Sequence, residues 1–297
     1  MNQYDAPTEL EASLAERPVG RREPLWRRFA RNRLAVFGLV ILMLMVLGAV
    51  GAPWVAPFEP DKISYDFLEE PSDEHVLGTD DIGRDELSRL IYASRISLTV
   101  GVCVSIITII IGTLIGSVAG YYGGLTDAWI SGGVNVLLSI PMIPLAMVLG
   151  AFLKTNLLFV VLILGLLSWT GVARIIRAEF LSLKEREFIM AARLIGTSDF
   201  RIIFRHILPN TTAQIIVAAT LQVATAILAE SALSYLGYGI QPPTASWGNM
   251  LQNAQRFFRT NPMLAIYPGM LISLTVISIN FVGDGLRDAL DPRLRRL

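Results

Sequence analysis

Side chains able to ionise, ligate or attack are few in this chain and widely scattered. Only His75 and His206 are present, far apart, and the single cysteine, Cys103, sits inside an apolar run. There is thus no disulfide framework, no thiolate spacing for a metal and little from which to build a zinc site, so no metal ligation is expected. Lysine occurs only at Lys62, Lys154 and Lys184, none following a glycine, which rules out a phosphate-binding loop ending in Gly-Lys-Ser/Thr. If ATP serves this protein, another chain binds it. No His-Glu-x-x-His, paired aspartate within an apolar run or serine–lysine dyad is evident, so no catalytic residue is expected. Asp80, Asp81 and Asp85 in "GTDDIGRD" could offer oxygens to calcium, but the stretch lacks the regular alternation and terminal Glu of a calcium loop. The simpler reading is that these acids cap the following helix, with Asp85 in its first turn.

The elements that hold these residues are set by composition. Of 297 residues, 53% are hydrophobic and 17% charged, and mean hydropathy is positive, far from a soluble domain. The chain is an integral membrane protein. A spanning helix needs about 20 mostly apolar residues, and six runs qualify: Leu34 to Val55, Ile96 to Ala119, Ala128 to Leu153, Leu157 to Ile176, Ala213 to Gly237 and Met263 to Val282. The fold expected is all-α, a six-helix transmembrane bundle. The third run carries Pro141 and Pro144, which membrane helices tolerate where neighbours satisfy the freed carbonyls.

Arginine and lysine are retained on the cytoplasmic side. They cluster before the first run (Arg21, Arg22, Arg27, Arg28, Arg31, Arg33), between the fourth and fifth (Arg174 to Arg205) and at the end (Arg287, Arg293, Arg295, Arg296). Both termini are therefore expected in the cytoplasm, and the acidic segment between the first two runs outside. The first run is too long for a signal peptide, and its polar leader lacks a following small-x-small cleavage site. "PLWRRFARNR" fits a short helix in the headgroup region and equally a basic topogenic tail. The organisation expected is a tail over 1–33, first helix plus acidic segment over 34–95, a five-helix core over 96–284 with a polar loop at 185–210, and a tail over 285–297.

That loop, "EFIMAARLIGTSDFRIIFRHILPN", is amphipathic. Phe188, Ala191, Ala192 and Ile195 repeat at helical spacing, Gly196 can take a left-handed stop, and Thr197 or Ser198 can cap a second helix through Phe200, Ile203, Phe204 and Ile207, ended by Pro209. Two readings stand: a ball for a groove on a partner protein, or a connector lying on the bilayer.

The stretch "MAARLIGTSDFRIIFRHILP" resembles the EAA loop of bacterial ATP-binding-cassette (ABC) importer permeases, the coupling helix that enters a cleft of the ATPase. Ala191, Ala192, Gly196, Leu208 and Pro209 match; Met190 stands where the family usually has Glu, and His206 where it usually has Ile. The resemblance implies that Glu187, Met190, Ala191, Ala192, Arg193, Gly196, Thr197, Ser198, Arg201, Leu208 and Pro209 form the ATPase-coupling surface, with Glu187 available in place of the missing acid. "LGTDDIGRDELSRLIYASRISL", "ALSYLGYGIQPPTASWGNML" and "GDGLRDALDPRLR" resemble the C-type permease of dipeptide, oligopeptide and nickel importers. This implies a type I importer permease in a bacterial or archaeal cytoplasmic (inner) membrane. Its implied partners are a homologous second permease in a heterodimer, two ABC ATPases that hold the ATP and Mg, and an extracytoplasmic substrate-binding protein. No cofactor on this chain and no nucleic-acid partner are implied. The implied cargo is di- or oligopeptides, with nickel complexes, glutathione or another conjugated solute as the alternative.

Other polar residues have two readings each. Glu230 is the only acid inside an apolar run; with Asn135, Ser139, Gln222 and Thr225 it either lines a pathway or is satisfied within the bundle. Asp80, Asp81, Asp85, Gln241, Pro242 and Trp247 belong to an outer docking platform or gate, or to stiff connectors, with Trp247 expected at the interface. Gly112, Gly116 and Gly120 give one smooth helix face for close packing, within this chain or against a partner permease. A membrane enzyme would need catalytic pairs that are missing, and a self-sufficient channel or secondary transporter would not need the polar hairpin.

Overall fold

The computed structural model describes residues 24–153 and 156–290. Arg21, Arg22, Arg293, Arg295 and Arg296, invoked above for topology, lie outside the described residues, as do most of the N-terminal tail and the end of the C-terminal one. Among the described residues no strand forms, as expected where lipid offers backbone groups no partners and helices satisfy their own. A short helix α1 (Leu25–Arg31) precedes α2 (Arg33–Val50), whose first turn is capped by Asn32 accepting from the Ala35 N–H at 3.2 Å. A single turn, α3 (Ala52–Val55), follows Gly51. The next long helix, α4, runs from Glu86 to Tyr122, starting well before the expected Ile96. Its 37 residues make a rod of about 55 Å, against a hydrocarbon layer of about 30 Å, so it projects beyond the bilayer.

That rod is the post around which the bundle is built. It packs along α7 (Leu157–Leu183) and α10 (Thr212–Tyr235), and α10 in turn meets α12 (Met263–Leu290), which also packs on α2. The glycine face foreseen on α4 is used inside this chain. A Cβ at Gly112 would lie 2.7 Å from the Val172 Cβ, one at Gly116 2.4 Å from the Ala173 carbonyl oxygen, and one at Gly120 2.6 Å from the Phe180 Cβ. Glycine at these positions lets the two helices run backbone against backbone. The main apolar cluster, with Val100, Val104, Val160, Leu164 and Leu233 buried, fills the space among α4, α7 and α10.

The third expected span is not one helix. It breaks into α5 (Gly124–Ser139) and α6 (Met142–Phe152), bent by 78°. The cause is local: Ile140, which precedes Pro141, is extended at φ −91°, ψ 121°, as the proline ring requires of its predecessor. Pro144 does no damage, because it falls in the first turn of α6, where N–H groups have no intrahelical partner anyway. Among the described residues, five helices are long and apolar enough to cross a membrane, or six if this bent pair counts as one.

The acidic segment ahead of α4 has little regular structure but is well tied down. Phe58 N–H donates to the Ser88 hydroxyl at 3.0 Å, and Arg89 donates to the Pro60 carbonyl at 3.2 Å. Between α10 and α12 lies α11 (Trp247–Ala254), started by a reciprocal cap in which Ser246 and Asn249 each accept from the other's backbone N–H. Trp247 is fully buried, not at the membrane interface as expected, because its ring joins a core cluster with Leu90, Ile227 and Ile279.

The glycine seam makes a direct stability prediction. Gly116→Ala forces α4 and α7 apart and should cost about 1–3 kcal/mol. Gly132→Ala, at a site with nothing within 4 Å, should not. Thermal unfolding of both variants in detergent checks this; equal melting temperatures would show that the seam is not under that constraint.

Candidate functional site: a docking hairpin

Residues 187–210 form a hairpin, though not with the pattern read from sequence. Helix α8 (Glu187–Leu194) ends before Gly196, which takes the left-handed conformation at φ 78°. A short α9 (Asp199–Arg201) then passes into a π-helical turn over Ile202–Ile207 and a 3-10 turn over Leu208–Asn210. Ser198 is at the cap position, but neither it nor Thr197 gives a side-chain cap. In the π turn Leu208 N–H reaches back to the Ile203 carbonyl. Pro209 follows, which has no N–H to continue a regular ladder.

Burial divides the hairpin into an anchor and a crest. Ile189, Ala192, Ile202, Ile203 and Ile207 are buried, four of them against Tyr121, Val172, Ile176 and Phe180 from α4 and α7. The apolar stripe expected to include Phe188, Ala191 and Ile195 is therefore shifted by a position. Glu187, Met190, Ala191 and Leu194, at helical spacing, form the exposed face instead. At the tip Leu194 is 89% exposed, Ile195 82% and Phe200 71%. Arg193, Gly196, Ser198, Arg201 and Pro209 are exposed with them, and Thr197 and Leu208 partly so. The hairpin thus carries an exposed apolar crest flanked by Arg193 and Arg201.

Polar contacts tie the hairpin to α4 and join α7 to α5. The Tyr121 hydroxyl donates to Asp199 Oδ1 at 2.5 Å, and the Arg193 guanidinium lies 5.4 Å from the Tyr121 ring centroid. Arg177 of α7 grips both carboxylate oxygens of Asp127 on α5, and Arg174 donates to Asn135 Oδ1 at 2.7 Å. None of these pairs is close in sequence, so no local pattern announces them.

The remaining predicted positions separate. Asn135, Ser139 and Thr225 are exposed and Gln222 half-buried, whereas Glu230 is fully buried. Its carboxylate accepts from Ser234 at 2.7 Å and lies 3.5 Å from the Ser97 hydroxyl, which also accepts from Trp247 N–H at 3.2 Å. Glu230 thus joins α4, α10 and the start of α11 toward the end of α10 farthest from the hairpin. Asp85 caps α4, accepting from Ser88 N–H at 2.7 Å, and Asp80 accepts from Ile82 and Arg84 N–H and from the Arg84 side chain. Both aspartates are occupied internally; Asp81 is half-buried, and Gln241 and Pro242 are exposed.

A bent, all-helical bundle with several apolar spans and a charged hairpin between two of them suits a subunit of a membrane transport system. Residues 112–296 match the family described as binding-protein-dependent transport system inner membrane component, and residues 24–71 match the N-terminal TM domain of oligopeptide transport permease C. The chain belongs to the binding-protein-dependent transport system inner membrane component family. It is 41% identical to a dipeptide transport system permease protein DppC of Alkalihalophilus pseudofirmus, over 91% of this chain and 89% of the relative. A di/tripeptide permease DppC of Pseudomonas aeruginosa is 39% identical over 98% of both, and an oligopeptide permease OppC of Bacillus subtilis 36% identical over 98% and 97%. A chain of the MetNI methionine ABC transporter, solved in inward-facing conformations, shares the fold with a TM-score of 0.57 at 19% identity, over 68% of this chain and 97% of that one.

Glu230→Ala should destabilise the bundle by about 1–3 kcal/mol, the cost of leaving buried polar partners unpaired. Thr225→Val, which removes an exposed hydroxyl bonded only to its own helix, should not. Melting curves of the two variants in detergent decide; a Glu230→Ala protein as stable as the parent would show that the carboxylate is not a structural knot.

Proposed function

We propose that this chain is one of two homologous permease subunits of an ATP-driven importer, forming half of a pathway for di- or oligopeptides delivered by an extracytoplasmic binding protein. The observation that carries the reading is the hairpin: an exposed apolar crest whose base is bound to α4, α7 and α10 together. The peptide cargo is supported by the names of relatives that match nearly the whole chain. In this reading the crest, with Leu194, Ile195 and Phe200 outermost, docks in a cleft of an ABC ATPase, which holds the ATP and Mg2+. Arginines on the hairpin and ahead of α2 support a cytoplasmic position for both, in the inner membrane of the cell.

The mechanism follows from what the hairpin touches. Approach of the two ATPases moves the paired hairpins together, and the anchor isoleucines and the Tyr121–Asp199 bond carry that displacement into α4 and α7 as a rigid body. Alternating access needs such rocking of one helical unit against another. The ATPase pair biases it only as far as its affinity differs between the two states, and the hairpin is the element through which that difference acts.

Copurification in mild detergent tests the assignment. The tagged parent chain should bring down a second permease and an ATPase. Gly196→Trp, which puts a bulky side chain at a left-handed position, and Leu194→Asp should lose the ATPase and keep the second permease. Failure of the parent chain to bind any ATPase would overturn the coupling role. Tyr121→Phe should keep the ATPase bound but lower transport per ATP hydrolysed in proteoliposomes, since it cuts the link to α4 without altering the crest; unchanged coupling would remove Tyr121 from the path.

A further inference from the structure

His75, one of only two histidines in the chain, is brought by the acidic segment to two carboxylates. Side-chain ligand atoms of Asp66, Glu69 and His75, one from each, all lie within 4.8 Å of one another. Three features show that this is more than a patch of acids. His75 is 4% exposed, and its Nδ1 lies 2.9 Å from Asp85 Oδ1. Asp85 is held in turn by its cap bond to Ser88, so it fixes the ring and its tautomer. With Nδ1 committed, Nε2 is the nitrogen the imidazole has to offer, and it has no hydrogen-bond partner among the described residues. A carboxylate behind a histidine is the usual support of a metal-ligating imidazole.

The backbone carrying the two acids is fixed as well. Leu68 N–H donates to the Asp80 carbonyl at 3.0 Å, Glu69 N–H to the Thr79 hydroxyl at 2.9 Å, and Thr79 N–H to the Glu69 carbonyl at 3.2 Å. Asp66 and Glu69 therefore sit on a strip sewn to residues 79–80, while His75 closes the loop between them, its ring tilted 37° to that of Phe58 with centroids 4.9 Å apart.

We propose that Asp66, Glu69 and His75 bind a divalent cation of the zinc type, with solvent supplying the fourth position on the exposed Asp66 side. One imidazole and two carboxylates suit a borderline first-row dication, whereas calcium takes six to eight oxygens. Zinc–donor distances of about 2.0–2.2 Å put tetrahedral donors about 3.4 Å apart, so donor atoms that lie within 4.8 Å of one another without an ion would draw together around it. The cation joins three residues of a segment that has almost no regular structure and fixes it against the start of α4. The site stands whether or not the chain is an importer subunit.

The test is a titration of Zn2+ alone into chelator-stripped full-length protein in detergent, purified without a polyhistidine tag and read against a chromophoric chelator. One Zn2+ per chain and a raised melting temperature are expected. The double variant Asp66→Asn/Glu69→Gln, altered at solvent-accessible side chains, should keep the metal-free melting temperature and lose both effects. Asp85→Asn, which retains the helix cap, should weaken binding by about 10–100-fold. Glu70→Gln/Asp73→Asn, at neighbouring exposed acids, should bind as the parent does. Absence of stoichiometric Zn2+ binding, or binding that survives the double variant or is lost equally in the Glu70/Asp73 control, overturns the site.

Discussion

Backbone contact between α4 and α7 is the constraint on which the rest of the molecule depends. Where Gly116 meets the Ala173 carbonyl there is no room for a methyl group, so the register of the two helices is fixed by the chain itself. In lipid, where burying apolar surface gives no advantage, such close packing is a principal source of helix association. It also places Tyr121, one residue beyond Gly120, beside Phe180 and Ile176. That is where the hairpin's isoleucines find their socket. Had the seam been open, the hairpin would have no fixed base.

The polar residues follow the same logic at the opposite end of the rod. Ser97 and Glu230 face each other across α4 and α10, and the Ser97 oxygen takes the Trp247 N–H at the start of α11. A carboxyl group buried at such a junction does not need a cavity, because the hydroxyls of Ser97 and Ser234 are within its reach. The polar groups left exposed, Asn135, Ser139 and Thr225, lie instead on α5 and α10, the first two on the limb that ends at the Pro141 break.

Legibility in the sequence followed the range of the interactions. Apolar runs long enough to cross a bilayer declare helices by composition alone, and the spacing of Gly112, Gly116 and Gly120 declared a packing face. The bend at Ile140 was present as Pro141 but was read as a tolerated proline, since sequence does not say whether neighbours hold a helix straight. The phase of the hairpin stripe was misread because Ile189 and Ile202 are buried by Tyr121, Val172 and Phe180, residues remote in the chain. The contact of His75 with Asp85 was not legible for the same reason: ten residues separate them, at no helical or strand period, and only the turns of the acidic segment bring them together.

These features share one mechanical element. At its first turn α4 receives the acidic segment through Asp85, Ser88 and Arg89, and at its last turn it receives the hairpin through Tyr121. No proline interrupts the helix between them. Prolines, glycine–serine pairs and π-bulges are the usual sites of helix kinks, and in α4 the seam glycines are braced by α7. In the proposed importer, a displacement imposed at Tyr121 would therefore reach Asp85 mainly as motion of a rod. The hairpin and the acidic segment are held by opposite ends of one uninterrupted helix, so no chain of side-chain contacts through the bundle is needed to connect them.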